Sequence, residues 1–208
     1  MDWVVPSPGR VSRMHDGLRE VLASREGHFL MESGHHGSLW LQLDALFLRP
    51  EAIDPLVDGL TEMLKPLSAD VVCGPLLGGA VLSYQVAARL KATFVYSART
   101  AHVPGEMYSA SYEVPTAQRP ALQGARVIVV DDVVNAGSAS RSTLTAVRQA
   151  GGEPVGLAAL LQLGDGATAL ASSAQLPFFA LEAWPSPLWE PAACPKCTAG
   201  LTLDNWGS

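Results

Sequence analysis

One segment near the middle of the chain limits the possible folds more than any other. The run from Arg126 to Asp131 is apolar without polar alternation, which is typical of a parallel strand buried on both faces. It ends in two acids, Asp131 and Asp132, and a loop of small residues then leads into a helical pattern that begins near Ser138. Because ligands bind beyond the carboxyl ends of parallel strands, this strand–loop–helix unit predicts a binding site.

The surrounding sequence alternates between strand and helix patterns. Short apolar runs predict strands at 71–73, 93–96 and 155–161, and helical spacing predicts helices at 80–90 and 138–150. Closer to the N-terminus, the patterns predict a helix that ends at Glu26, strands at 28–31 and 39–48, and a helix opened by Pro50. The alternation predicts an α/β fold with a mostly parallel sheet flanked by helices.

The composition limits the function classes. The chain has 208 residues and a net charge of −6, so an extensive nucleic-acid interface is not expected. No apolar run approaches the ~18 residues of a membrane span, and three cysteines do not form an extracellular disulfide framework. We therefore expect a cytoplasmic protein with neither a nucleic-acid nor a membrane partner.

The loop after the two acids has the chemistry of a sugar-phosphate site. A helix N-terminus presents free amides that suit a phosphate, and Asn135 and Ser138 can add side-chain donors. The carboxylates of Asp131 and Asp132 can accept hydrogen bonds from vicinal hydroxyls, which together describes a ribose 5-phosphate. A Walker B strand is an alternative, but the chain lacks its Gly-x4-Gly-Lys-Ser/Thr partner. A structural strand end with two solvated acids is the other alternative.

Several ordered motifs resemble one known family. Residues 127–139 are similar to the motif with which type I phosphoribosyltransferases, especially the orotate enzymes, bind 5-phosphoribosyl-1-pyrophosphate (PRPP). Residues 27–34 resemble the N-terminal signature of that family, and 74–79 resemble its pyrophosphate loop. The segments 150–156 and 194–208 match a bacterial branch. The similarity extends over about residues 14–208 in the same order.

The resemblance implies a fold and a reaction. The fold would be the type I phosphoribosyltransferase fold with a small hood built from both chain ends. Residues 1–69 would supply N-terminal helices and hood strands, 70–175 the PRPP-binding core, and 176–208 an extension that packs on the core. A nitrogen of the acceptor base would displace pyrophosphate from PRPP, and orotate is the expected base. Mg²⁺ would be bound mainly through PRPP. By the same resemblance, the chain would form a homodimer.

The resemblance also assigns roles to residues, while no residue is assigned as a metal ligand. The acids Asp131 and Asp132 would hold the ribose hydroxyls and, with Arg99 and His102 of the loop after Tyr96, form the catalytic group. The remaining assignments concern the 5-phosphate (Asn135, Ala136, Gly137, Ser138, Ala139), the pyrophosphate (Leu76, Leu77, Gly78, Gly79) and the base (Phe29, Ser33, Gly34, His35).

Three departures from the orotate enzymes leave the acceptor open. The loop 97–112 lacks the lysines of that family, and Leu77 and Gly78 lie where its pyrophosphate loop often has a lysine. Gln162 and Leu163 replace the arginine that grips the orotate carboxylate, and losing one partner of a buried charged contact costs about 2–5 kcal/mol. The chain could therefore use another base, or bind PRPP or a nucleotide without catalysis.

Other residues have two interpretations each. His35 lies either near the base or in a solvated turn. His102 either contacts the leaving group or lies in an exposed loop. Cys194 and Cys197 have zinc-knuckle spacing, but a structural zinc site needs four ligands and the histidines are distant in sequence. The sequence therefore favours a structural turn. The segment 97–123 is either a functional loop or a disordered one. Three tryptophans are predicted to anchor the tail by packing (Trp184, Trp189, Trp206).

Overall fold

The computed structural model describes residues 17–31, 34–100 and 111–204. The helices of these residues are α1 (Gly17–Val21), α2 (Pro50–Leu64), α3 (Gly78–Leu90), α4 (Ser138–Gln149), α5 (Gly166–Ala174) and α6 (Pro195–Thr198). The strands are β1 (Ser24–Leu30), β2 (His36–Leu41), β3 (Val71–Pro75), β4 (Thr93–Arg99), β5 (Tyr112–Glu113), β6 (Arg126–Val134), β7 (Glu153–Leu163), β8 (Phe178–Trp184) and β9 (Leu188–Trp189).

A six-stranded sheet forms the centre of the molecule, in the order β5-β4-β3-β6-β7-β8. All neighbouring strands are parallel except β4 and β5, which confirms the predicted sheet. From β3 the chain moves outward to β4, whereas from β6 it moves outward in the other direction to β7 and β8. The strand order therefore reverses between β3 and β6, and a crevice forms beyond the carboxyl ends of these two strands.

Helices cover both faces of the sheet, and β6 is the strand that joins the two cores. Ile128 and Val130 pack in the cluster formed with α2 and α3, whereas Val127 and Val129 pack in the cluster formed with α4 and α5. All four side chains are at most 1% exposed. Each such burial contributes about 1.5–3 kcal/mol, so the apolar run at 127–130 fixes the strand in the middle of the sheet.

A second, three-stranded sheet forms a hood built from both ends of the described chain. β1 pairs antiparallel with β2, and β9 pairs with the other edge of β2. The segment after 175 thus contributes β8 to the central sheet and β9 to the hood. The division into residues 1–69, 70–175 and 176–208 stays a prediction, because the extension is shared between the two sheets.

Two sequence predictions at the N-terminal end were wrong. The first helix ends at Val21, and Ser24–Leu30 pair with β2 as a strand, because tertiary pairing overrides a local helical spacing. The predicted strand 39–48 ends at Leu41 and is followed by a 3₁₀ turn at Leu43–Ala45. By contrast, α2 begins at Pro50 as predicted and buries its apolar face.

The segment 97–123 has secondary structure at both ends of its described part. β4 extends to Arg99, β5 pairs with it, and Thr116–Leu122 form a 3₁₀ helix. His102 lies outside the described residues. Among the described residues, no helix combines the length and apolar character that crossing a membrane requires.

Candidate active site

Two carboxylates form the centre of the site at the end of β6. Asp131 Oδ2 accepts a hydrogen bond of 2.9 Å from the Ser140 hydroxyl in α4. Asp131 Oδ1 and Asp132 Oδ1 accept the backbone amides of Asp132 and Val133, at 3.1 and 2.8 Å. Asp131 and Asp132 are 7% and 8% exposed, so neither side chain is freely solvated. This burial argues against the alternative of a strand end with two solvated acids.

The environment of Asp131 disfavours its charged form. Burial raises the pKa of the Asp131 carboxyl well above its usual range, and the negative charge of Asp132 raises it further. The Ser140 hydrogen bond lowers this pKa but does not compensate. A buried carboxyl whose pKa is raised in this way is typical of a functional site.

The loop between β3 and α3 approaches the same two acids. The Leu76–Leu77 peptide bond is cis, and the Leu76 amide donates to the Ser97 carbonyl at 2.8 Å. A methyl group on Gly78 would overlap the Asp132 carboxylate, and one on Gly79 would lie 2.6 Å from Asp131 Oδ1. Glycine is therefore required at both positions if backbone and carboxylates are to lie this close.

The loop on the other side of the acids opens α4 and faces a cavity. Gly137 is the N-cap residue with a φ of +78°, and no side chain of the described residues caps this helix end. A cavity of about 290 Å³ is lined by Asp131 and by residues 133–140. The loop is therefore neither occluded nor directed into the core. The free amides at the start of a 12-residue helix suit an anion.

The hood supplies the opposite wall of this cavity. Met31 and the β2 residues 39–41 line it together with Leu43. Phe29 is fully buried and packs against Trp40 with a ring-centroid distance of 5.6 Å. His35 Nε2 lies 3.1 Å from Glu190 Oε1.

A match to one family model identifies the family of this chain. The model described as "Phosphoribosyl transferase domain" matches residues 51–175, which contain both glycine loops and both acids. The chain belongs to the phosphoribosyltransferase family. Ordered motifs, reversed strand order and paired acids all agree with this membership.

Curated relatives of this phosphoribosyltransferase cover most of its length. The orotate phosphoribosyltransferase of Wolinella succinogenes is 30% identical, with 88% of this chain and 90% of the relative covered. That of Thermotoga maritima is also 30% identical, with 92% and 97% covered. Both relatives therefore match this chain over most of its length, in agreement with the resemblance seen in the ordered motifs.

Solved structures agree in fold at lower sequence identity. An orotate phosphoribosyltransferase from Aeropyrum pernix has a TM-score of 0.62 and 21% identity, covering 83% of this chain and 92% of that one. An adenine phosphoribosyltransferase from Rhodothermus marinus has the same TM-score and identity, covering 83% and 99%. Because enzymes for different bases match equally well, the fold alone does not select the acceptor base.

The structure places the other predicted site residues of this phosphoribosyltransferase as follows. Arg99 ends β4, two residues beyond Ser97, whose carbonyl accepts the Leu76 amide. Gly34 lies in the hood turn with a φ of +80°. Gln162 Nε2 donates to the Gly164 carbonyl at 2.7 Å and to Thr168 at 3.0 Å. Ser33 and His102 lie outside the described residues.

Sequence reasoning missed two contributions to the site. Ser140 was not singled out, although a hydroxyl in the first turn of the helix after paired acids is a usable signal for such a contact. The hood residues Met31, Leu39 and Trp40 were also missed. No local signal identifies these residues, because they reach the cavity only through packing of the hood against the central sheet.

Proposed function

We propose that this chain transfers the 5-phosphoribosyl group of PRPP to orotate, which yields orotidine 5′-phosphate and pyrophosphate in pyrimidine biosynthesis. One observation carries the proposal: the paired acids lie between two loops of small residues, at 78–79 and at 137–139, whose backbone could bind anions. A phosphorylated sugar bearing a diphosphate needs this arrangement of anion site, diol acceptor and second anion site. Both proposed substrates belong to intracellular nucleotide metabolism, so we also propose a cytoplasmic location.

The reaction requires positioning more than covalent chemistry from the protein. The amides of 136–139, with the side chains of Asn135 and Ser138, would hold the 5-phosphate. Asp131 and Asp132 would accept hydrogen bonds from the ribose hydroxyls, which orients the anomeric carbon toward the base. Their negative charge would also stabilise the positive charge that develops on the ribose in the transition state. The base nitrogen forms the new bond while the carbon–oxygen bond to pyrophosphate breaks.

The proposed pyrophosphate side lies at the start of α3. The backbone of Leu76, Leu77, Gly78 and Gly79 would bind the leaving diphosphate. Arg99 extends from the neighbouring strand β4, and we propose that it acts with His102 on this group rather than on the base. Mg²⁺ would be bound mainly by the diphosphate and by water, as this ion prefers, and would neutralise charge on the leaving group. The carboxylates of the acid pair are oxygen ligands of the type that suits it.

The assignment of orotate is supported by the curated relatives rather than by the cavity. Among the described residues that line the cavity there is no arginine or lysine, so the usual bidentate partner of a carboxylate is absent from its wall. Gln162, the second-last residue of β7, lies where the resemblance places the family's arginine. We propose that the base lies against the hood, with Ser33, Gly34 and His35 as its predicted contacts, whereas the fully buried Phe29 supports Trp40 from behind rather than contacting the base.

The function is tested by incubating the purified chain with PRPP, Mg²⁺ and one base at a time. We expect stoichiometric loss of orotate and release of pyrophosphate, with uracil and adenine as control acceptors. Turnover with adenine or uracil but not orotate would identify a phosphoribosyltransferase for another base. Saturable PRPP binding without turnover for any base would identify a non-catalytic binding protein instead.

We propose that the chain forms a homodimer through the exposed side of α3. Leu76, Leu77, Val81 and Tyr84 are 36–69% exposed and line one apolar groove with Phe94 and Tyr96. Apolar side chains that are contiguous on a surface favour association, because covering them removes apolar area from water. This surface adjoins the proposed pyrophosphate loop, so a second copy would lie close to the site.

A new charge in this groove tests the dimer. Tyr84→Arg should convert a species of twice the 21.9 kDa chain mass into a monomer, as measured by light scattering after gel filtration. An uncompensated charge in an apolar interface weakens association by several kcal/mol, roughly a hundredfold or more. Thr145→Arg places the same charge on the exposed face of α4 and should leave the mass unchanged. A monomeric wild-type chain at micromolar concentration would contradict the proposal.

A further inference from the structure

Two histidines and two cysteines from distant parts of the chain meet beside the hood. His28 lies in β1, His36 in β2, and Cys194 and Cys197 lie at the start of and within α6. One ligand atom from each of these residues lies within 4.8 Å of the other three. The histidines and cysteines are separated by 158 to 169 residues, for example 166 between His28 and Cys194. Sequence separation, which argued against a zinc site, therefore does not keep these groups apart.

The distances within this His₂Cys₂ cluster fit the edges of a small tetrahedron. His28 Nε2 lies 3.0 Å from His36 Nδ1, 3.4 Å from Cys194 Sγ and 3.8 Å from Cys197 Sγ. Cys197 Sγ lies 3.3 Å from His36 Nδ1. Zinc with bonds of about 2.0–2.1 Å to nitrogen and about 2.3 Å to sulfur separates its ligand atoms by roughly 3.3–3.8 Å. A single ion of this size therefore fits between the four atoms.

The hydrogen bonding of His28 prepares its ring for a metal. His28 Nδ1 lies 2.9 Å from the Leu201 carbonyl oxygen, which can only accept a hydrogen bond. Nδ1 therefore carries the proton of the neutral ring, and Nε2 directs a lone pair into the cluster. A backbone carbonyl on the second ring nitrogen is the usual outer partner of a metal-binding histidine.

The burial of the cluster favours an ion over four unconnected polar groups. Cys194, His28 and His36 are 1%, 3% and 6% exposed, whereas Cys197 is exposed and offers an entry path. The turn of α6 holds the cysteine pair in place, because the Thr198 and Gly200 amides donate to the Cys194 and Cys197 carbonyls. Buried polar side chains without compensation are costly, and coordination of one ion would satisfy all four at once.

We propose that His28, His36, Cys194 and Cys197 bind one structural Zn²⁺ ion that fastens the C-terminal tail to the hood. Two imidazoles and two thiolates are a ligand set that suits zinc. All four positions are filled by the protein, so the ion has no open site for substrate and its role is structural. The proposal is independent of the acceptor base.

The metal content of the chain, purified without a histidine tag, tests this directly. We expect about one zinc per chain by mass spectrometry of the metals. Replacement by Co²⁺ should give the intense visible bands of a tetrahedral site with thiolate ligands. Cys197→Ser and His36→Gln should each lower the zinc content at least about tenfold, because each removes one of four ligands.

Cys73 provides a matched control. It is fully buried in β3, and burial raises the pKa of its thiol to about 12, so it stays protonated and does not bind metal. Cys73→Ala should therefore keep its zinc.

Two results would overturn the proposal. One is a wild-type chain that, after refolding with zinc under reducing conditions, holds less than about a tenth of an equivalent and gives no cobalt spectrum. The other is a Cys194–Cys197 disulfide in the purified protein. It would leave one titratable thiol in the unreduced, denatured chain, whereas the structure has three free cysteines.

Discussion

Replacing either acid at the end of β6 by its amide is expected to lower kcat/KM for PRPP about 10²–10³-fold, while the chain stays folded. Asp131→Asn and Asp132→Asn keep the size of the side chain, but each variant lowers the negative charge that the acid pair can present to the reacting ribose. Since that charge acts most strongly in the transition state, kcat should fall more than KM rises. Steady-state pyrophosphate release, measured with each substrate varied in turn, separates the two parameters.

Asp70→Asn is the matched control for the acid pair. Asp70 lies at the opposite end of the sheet, is exposed, and accepts the Arg126 amide at 2.9 Å. The same change of charge there should alter kcat/KM less than about twofold, because solvent screens it and it is remote from the site. Unchanged kinetics in both site variants would refute the role of the carboxylates in the reaction.

The stability of Asp131→Asn should change in the opposite direction to its activity. The pKa of the Asp131 carboxyl is raised in the folded protein, so ionisation weakens the fold as the pH rises from about 4 through the raised value. The amide does not ionise, so the variant should have a higher Tm than the wild type at pH 7. The difference should vanish near pH 3, where the carboxyl is protonated in both states.

The second large effect is expected at the phosphate loop, where Gly137→Ala should raise KM for PRPP by about one to two orders of magnitude. Gly137 has a φ of +78°, and a methyl group there would lie 3.2 Å from Leu170 Cδ2. The loop must move to relieve both the backbone strain and this contact. Such a movement displaces the amides that would bind the 5-phosphate.

Gly124→Ala separates backbone strain from loss of phosphate binding. Gly124 also has a positive φ, of +69°, but a methyl group there meets nothing within 4 Å. Both variants should lose about 1 kcal/mol of stability from the left-handed backbone, as measured by chemical unfolding. Only Gly137→Ala should weaken PRPP binding, measured by isothermal titration. Equal affinities in the two variants would place the phosphate elsewhere.

Four of the six strands of the central sheet, β3, β4, β6 and β7, could be predicted from the sequence because their signals are local, whereas β5 and β8 were not predicted. The apolar run before Asp131 and the proline at the start of α2 each specify an element without help from distant residues. α5 was not predicted, because its small residues give a weak apolar pattern, although Leu170 and its neighbours are buried. The first helix was extended too far, since it was predicted to continue to Glu26, whereas Ser24, Arg25 and Glu26 pair with β2.

The residues of the site divide in the same way: some lie in short sequence motifs, and others come together only through contacts between distant segments. The acids and the two glycine loops lie in short motifs, and the structure brings them to one crevice. The hood wall faces a loop about 100 residues away in the sequence, and the His₂Cys₂ cluster joins segments about 150 residues apart or more, as do His36 and Trp189 in β2 and β9. A single sequence contains no spacing rule for such pairs, so only the folded chain identifies them.

The composition of the hood has a consequence for the order of folding. Its strands come from residues 24–41 and 188–189, so the sheet that walls the cavity closes only when nearly the whole chain has left the ribosome. Closure over so long a loop carries a large entropic cost, whereas the β3–β7 units can fold from neighbouring segments. During synthesis, the β1–β2 hairpin that lines the cavity would therefore remain without its third strand until β9 is made, so the crevice would form before its wall is held in place.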